Sequence, residues 1–156
     1  GVCVDLSCGT GFVGRRLARA GNFRHVFALD FSAEMLGEMV ATVRREGEQP
    51  VLDGRLSLIR ADAGALPFRD SVVNAVHWGG AMHCVPDAAA ALREVHRALQ
   101  PGGILYATTF LRPFPDVVFR FFEPEELVTL ANEAGFPMQS ISVERRGVYG
   151  ILVAKK

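Results

Sequence analysis

The chain opens on an apolar run that passes directly into a glycine turn: Val2-Cys3-Val4-Asp5-Leu6-Ser7-Cys8-Gly9-Thr10-Gly11. An amphipathic stretch follows, and a carboxylate, Asp30, closes the next apolar run. A buried strand, a tight turn, a helix and a second buried strand make one βαβ unit. Such a unit commits a chain to a parallel sheet covered by helices, because parallel strands need a crossover and that crossover lies on a sheet face.

The remaining sequence repeats the pattern. Short β-branched runs alternate with longer amphipathic ones. Strands are predicted near 2–6, 25–30, 55–60, 72–77, 103–109, 138–144 and 148–154, and helices near 11–20, 32–46, 87–99 and 124–134. Ser32 is placed to cap the second helix, with Met35, Leu36, Met39 and Val43 on one face. Gln100-Pro101-Gly102-Gly103 stops the third helix and turns into a strand. The last two strands have no crossover helix between them and join tightly at Arg146-Gly147, so they should pair antiparallel at one edge. The expectation is one α/β domain over residues 1–156. It is doubly wound around a mostly parallel seven-stranded sheet with an antiparallel edge strand.

With 156 residues, 49% hydrophobic, the chain can bury a real core. Seventeen basic residues balance seventeen acidic ones, so the excess positive charge of a nucleic-acid binder is missing. No apolar run approaches the length of a membrane span. Cys3, Cys8 and Cys84 form no CxxC pair and no zinc spacing, so no metal site is expected, and their odd, sparse number suits a reducing compartment. The chain starts at Gly1, already inside a strand, so the sequence offers no targeting signal to read.

Gly9-Thr10-Gly11-Phe12-Val13-Gly14 matches GxGxxG, and Asp30 follows at close to the spacing of about 20 residues found in dinucleotide-binding units. On that evidence an NAD(P)-dependent oxidoreductase is open. The helix N-terminus beyond the turn would suit a pyrophosphate or equally an amino-acid carboxylate. Asp5 argues against the former, since its charge sits badly beside a pyrophosphate and well beside an ammonium or sulfonium group. Asp62, at the end of the third strand within Arg60-Ala61-Asp62-Ala63-Gly64, supplies an acceptor that an adenine amino group needs. Trp78-Gly79-Gly80-Ala81-Met82-His83 then brings small residues to the end of the fourth strand, at the crevice where open α/β sheets bind ligands.

The blocks VDLSCGTG, ALDFSAEML, RADAGALPF and LREVHRALQPGGILYATTF together resemble class I S-adenosylmethionine-dependent methyltransferases of the ubiquinone/menaquinone-biosynthesis type. AVHWGGAMHCVPD with GGILYATTF is similar, more narrowly, to chloroplast methyltransferases of plants and algae. The resemblance implies S-adenosyl-L-methionine as cofactor. Gly9 and Gly11 would admit its methionine portion, with Asp5 at the polar end and Ser7 standing where a glycine is often found. Asp30 would accept the ribose hydroxyls and Phe31 would pack on adenine. Asp62 and Ala63 would read the adenine edge, and Gly79 and Gly80 would pass beneath the sulfonium.

The resemblance further implies a small, apolar acceptor, a chloroplast address (otherwise cytoplasmic), N-terminal helices lying outside this sequence, and a shortened 110–123 segment. It leaves the oligomeric state open. A binding module without catalysis is a second alternative to the oxidoreductase. His83 is the catalytic candidate, a base needed only by an acceptor of high pKa such as a hydroxyl. Phe110, Phe114, Phe119, Phe121 and Phe122, interrupted by Pro113 and Pro115, would line an acceptor pocket or pack on the sheet edge. Arg15, Arg16 and Arg19 read as a solvated helix face, Trp78 as pocket wall or core, and His25, His77 and His96 carry no assigned chemistry.

Overall fold

The computed structural model describes residues 1–48, 54–112 and 119–156. Seven strands form one sheet: β1 (Val2–Leu6), β2 (His25–Asp30), β3 (Leu56–Arg60), β4 (Val73–Gly79), β5 (Leu99–Phe110), β6 (Ile141–Arg146) and β7 (Tyr149–Lys155). Their spatial order is β3-β2-β1-β4-β5-β7-β6. Strands β3 to β5 run parallel, and β7 runs antiparallel to both β5 and β6. The order reverses between β1 and β4, which opens a crevice at the carboxyl ends of these strands.

Four α-helices lie on the two faces among the described residues: α1 (Phe12–Ala20), α2 (Ala33–Arg45), α3 (Ala88–Ala98) and α4 (Pro124–Glu133). Each falls within a residue or two of its predicted span. Ser32 caps α2 as expected, its hydroxyl oxygen accepting from the Met35 amide at 3.2 Å. The predicted strand over 138–144 begins later, because Met138–Ser140 forms a single 3₁₀ turn.

The predicted start of β5 at Gly103 is also corrected. Leu99 already pairs with Val73, and the ladder resumes at Ala75 and Ile104, so Gln100-Pro101-Gly102-Gly103 bulges out of a strand that has already begun. The bulge is pinned by the residue that follows β7: the Gly102 amide donates to the Lys156 carbonyl at 2.7 Å.

The larger core lies on the α3–α4 face, where Val4, Val76, Trp78, Leu105 and Leu152 meet Leu92, Val95, Leu127 and Phe136. Trp78 is fully buried there, which settles it as core. A smaller cluster of Cys3, Ala18, Val26 and Val43 joins α1 and α2 to the other face. Arg15 departs from the sequence reading. It is buried and ion-paired to Glu48 at 3.0 Å and to Glu46 at 2.8 Å, tying α1 to the end of α2. Pro113, Phe114 and Pro115 lie outside the described residues, whereas Phe122 is fully buried and Leu111 bridges to it.

Candidate functional site

A cleft of about 530 Å³ opens at the carboxyl ends of β1, β2 and β3. Ser7, Gly9, Asp30, Phe31, Asp62 and Ala63 all border it, so six of the ten residues predicted for cofactor binding converge on one wall. The cleft size falls within the range of small-molecule sites, about 300–1,000 Å³.

Asp30 organises this wall. Its Oδ2 accepts from the Gly9 amide at 2.7 Å and its Oδ1 from the Ser32 amide at 2.9 Å, which joins the end of β2 to the glycine turn. Each carboxylate oxygen has a further lone pair, so the group can hold the turn and still accept from a ligand. The turn closes through the Gly11 amide donating to the Cys8 carbonyl at 2.9 Å. Ser7 has a left-handed backbone of the kind that favours glycine, with φ of 53°. That conformation is strained for a residue with a Cβ. At Gly9, also at positive φ, a Cβ would meet nothing within 4 Å, which leaves open space over the turn.

Asp62 serves the loop and the cleft together. Its Oδ1 accepts from the Gly64 amide at 2.8 Å in an Asx turn, and the residue lines the cleft. The loop is fastened from α3: Arg97 donates to the carbonyls of Leu66 and Phe68, and Glu94 accepts from the Leu66 amide at 2.8 Å. Phe31 is 68% exposed, so it is no core residue; its ring borders the cleft with the Arg60 guanidinium 5.8 Å from its centre.

The other predicted residues lie off the cleft wall. Asp5 is buried beneath it, with Oδ1 accepting from His77 Nδ1 at 2.7 Å and Oδ2 without a hydrogen-bond partner. Gly11 is held to glycine twice over, by its left-handed backbone and by the Met39 thioether, into which a Cβ would run. Gly79 and Gly80 follow at the end of β4, and the Gly80 amide donates to Thr108 Oγ1 at 2.9 Å.

His83 stands apart too. It is buried on the short turn Met82–Cys84, its ring set edge-on to Phe110 and Phe119 and parallel to Phe121, and the four rings line a second cavity of about 240 Å³. Burial lowers its pKa and keeps the imidazole neutral at pH 7. The thiols of Cys3 and Cys8 are pushed up to about 12 by burial, with the charge of Asp5 adding to it, so neither forms a thiolate at neutral pH. Among the described residues no cluster of His, Cys, Asp and Glu could hold a metal ion, and no helix is long and apolar enough to cross a membrane.

A family model described as a methyltransferase domain matches residues 4–107, from β1 through the site to β5. The chain belongs to this methyltransferase family. A chloroplastic methyltransferase of Arabidopsis thaliana is 41% identical over 115 residues, covering 74% of this chain and 32% of the relative. A 2-phytyl-1,4-naphtoquinone methyltransferase of Nostoc sp. is 34% identical over 138 residues, 85% of this chain and 58% of the relative. The methyltransferase domain described here therefore spans less than two thirds of these relatives. An S-adenosylmethionine-dependent methyltransferase of Mesorhizobium loti shares the fold, with a TM-score of 0.77 at 20% identity over 99% of this chain and 90% of that structure.

His77 is the residue the sequence reading missed. The available signal was the strand pattern: His77 faces the side of β4 that Asp5 occupies on the neighbouring β1, and the two are register partners.

Proposed function

We propose that this methyltransferase domain binds S-adenosyl-L-methionine in the 530 Å³ cleft and directs its methyl group to a small apolar acceptor. The observation that carries the reading is the pair Asp30 and Asp62 on one cleft wall, with open space over Gly9 and an unpartnered buried carboxylate oxygen on Asp5 beneath. Two ligand-facing carboxylates match a ribose diol and an adenine amino group. The Asp5 charge opposes a pyrophosphate and favours a cation, which ranks an NAD(P) reading lower.

When bound, the cofactor supplies an electrophilic sulfonium methyl. Asp30 holds the ribose while its two backbone contacts keep the glycine turn in place. Asp62 and the Ala63 amide fix the adenine edge, and Phe31 offers a ring face to the base. Ser7, Gly9 and Gly11 shape the turn that faces the amino-acid end, and α1 begins there without a side-chain cap, leaving amide donors for a carboxylate. Gly79 and Gly80 keep the sulfonium side clear of side chains. The protein's main contribution is alignment of acceptor and methyl group in a dry site.

The aromatic cavity around His83 is the acceptor site in this reading, since its walls are almost wholly apolar. The name of the Nostoc relative, a quinone methyltransferase, supports an apolar acceptor. A neutral His83 takes the proton from a hydroxyl acceptor and is a bystander for an acceptor that arrives ionised. The chloroplastic Arabidopsis relatives support a plastid address.

Incubation with methyl-labelled S-adenosyl-L-methionine and a panel of apolar phenols and quinols tests the proposal. Label transferred to at least one acceptor is the expected outcome. Tight cofactor binding with no transfer to any acceptor would instead indicate a binding module without catalysis.

A further inference from the structure

Asp5 and His77 form a cross-strand pair with no place in the sequence reading. They are register partners on β1 and β4, so their side chains leave the sheet on the same face, the one covered by α1. His77 Nδ1 donates to Asp5 Oδ1 at 2.7 Å. Asp5 is only 2% exposed, and its Oδ2 has no hydrogen-bond partner. A buried carboxylate in that state is destabilising by itself, and an orphaned oxygen beside a binding cleft calls for a functional account.

Two glycines make room for the pair. A Cβ on Gly14, in the first turn of α1, would lie 2.8 Å from Asp5 Oδ2. A Cβ on Gly79 would lie 2.6 Å from His77 Cε1. The last glycine of the GxGxxG run and the first of the pair closing β4 thus serve as clearance for a carboxylate and an imidazole. Tyr106, the partner of His77 on β5, stacks on the imidazole with the ring planes 13° apart. The ring is held on three sides, by Asp5, Gly79 and Tyr106, and it presents one donor to one oxygen.

We infer that His77 is a positioning residue for cofactor binding: it locks the Asp5 side chain with Oδ1 satisfied and leaves Oδ2 as a fixed negative charge under the glycine turn, where the ammonium of the cofactor's amino-acid end settles. Without the imidazole the carboxylate is free to rotate, and that weakens its field at the turn. In a buried setting that field is poorly screened, so orientation matters more than it would at the surface. The inference rests on the proposed S-adenosyl-L-methionine site and names the part of it that recognises the amino-acid end.

Calorimetric titration of the full chain separates the roles, with S-adenosylhomocysteine, which carries the ammonium, and 5′-methylthioadenosine, which lacks the amino-acid end. Asp5→Asn should weaken the first ligand by about tenfold, the size of a poorly screened charge acting across the turn, and leave the second unchanged. His77→Phe should reproduce that selective loss at about five- to tenfold, and His77→Asn, which restores a donor near Nδ1, should recover most of it. If His77→Phe does not purify folded, His77→Ala replaces it, since the ring is partly exposed and its removal opens no sealed cavity. Equal weakening of both ligands would make His77 merely structural and overturn the inference. So would an undiminished S-adenosylhomocysteine affinity in the His77 variant while Asp5→Asn shows its loss. If Asp5→Asn itself leaves both affinities intact, the ammonium reading of Asp5 fails, independently of His77.

Discussion

Asp30 holds the glycine turn and, in the proposed function, the ribose as well, and that double duty governs how it should be tested. Alanine would release the Gly9 and Ser32 amides as well as the ribose, so the informative change is Asp30→Asn, which keeps the shape and removes the charge. It should weaken S-adenosylhomocysteine binding by at least about tenfold in a calorimetric titration, with the melting temperature shifted by only a few degrees. His83 offers a second test at this scale. Burial depresses its pKa, so a rate that depends on it as a base is already flat between pH 7 and 8 and falls only below its lowered value. His83→Ala should then cost about a hundredfold in kcat for a hydroxyl acceptor and little for an ionised one. The residues legible from sequence were those whose chemistry is local. A carboxylate ending a strand beside a glycine turn needs no tertiary contact to be noticed. His77 was missed because its partner is seventy-two positions away and only strand register brings the two together. His83 was placed at the crevice mouth by its position after β4, but the phenyl rings that enclose it come from the far end of β5 and beyond.

Among the elements, the turn between β1 and α1 and the loop after β3 do the positioning, and each is held from elsewhere in the chain. The turn depends on the fit of Gly11 against the fully buried Met39 of α2. Gly11→Ala would combine a steric clash with a backbone at φ of 77°, so it should destabilise by about 2 kcal/mol or more, read as a lower urea midpoint. The loop carrying Asp62 depends on Arg97, which ties Leu66 and Phe68 to α3 and pairs with Glu94 and Asp70. Arg97→Leu should lower both stability and S-adenosylhomocysteine affinity, whereas 5′-methylthioadenosine should weaken in parallel because adenine is the end affected. Lysine should not rescue, since one ammonium cannot span this set of acceptors. Helix spans were readable because caps and apolar spacing are encoded within each segment. The bulge at Gln100–Gly103 was not, because a Pro-Gly-Gly run looks the same whether it precedes a strand or interrupts one. Only the pairing of Leu99 with Val73 decides it.

On the scale of the whole molecule, the alternation of strands and helices determined the doubly wound sheet and the position of its crevice. The order of the last strands follows from polarity: β6 ends in Glu144-Arg145-Arg146 and takes the charged edge, while β7 buries Leu152 and Ala154 against β5. Two histidines give the fold an acid sensitivity. His83 is depressed by burial, and His96 by burial and then by the Lys156 charge. The unfolded chain accepts protons near the ordinary 6.5 while the folded chain resists until lower pH, so stability is full above 6.5 and declines below it. Urea midpoints should fall between pH 7.5 and 5.5, and by less in a His83→Phe, His96→Phe double variant; equal falls would refute that assignment. The central claim is that the crevice takes an ammonium-bearing nucleoside in preference to a pyrophosphate. Side-by-side calorimetric titration with S-adenosylhomocysteine and NAD tests it most directly. The account predicts one-to-one binding of S-adenosylhomocysteine and no measurable heat with NAD; saturable NAD binding with S-adenosylhomocysteine refused would contradict it.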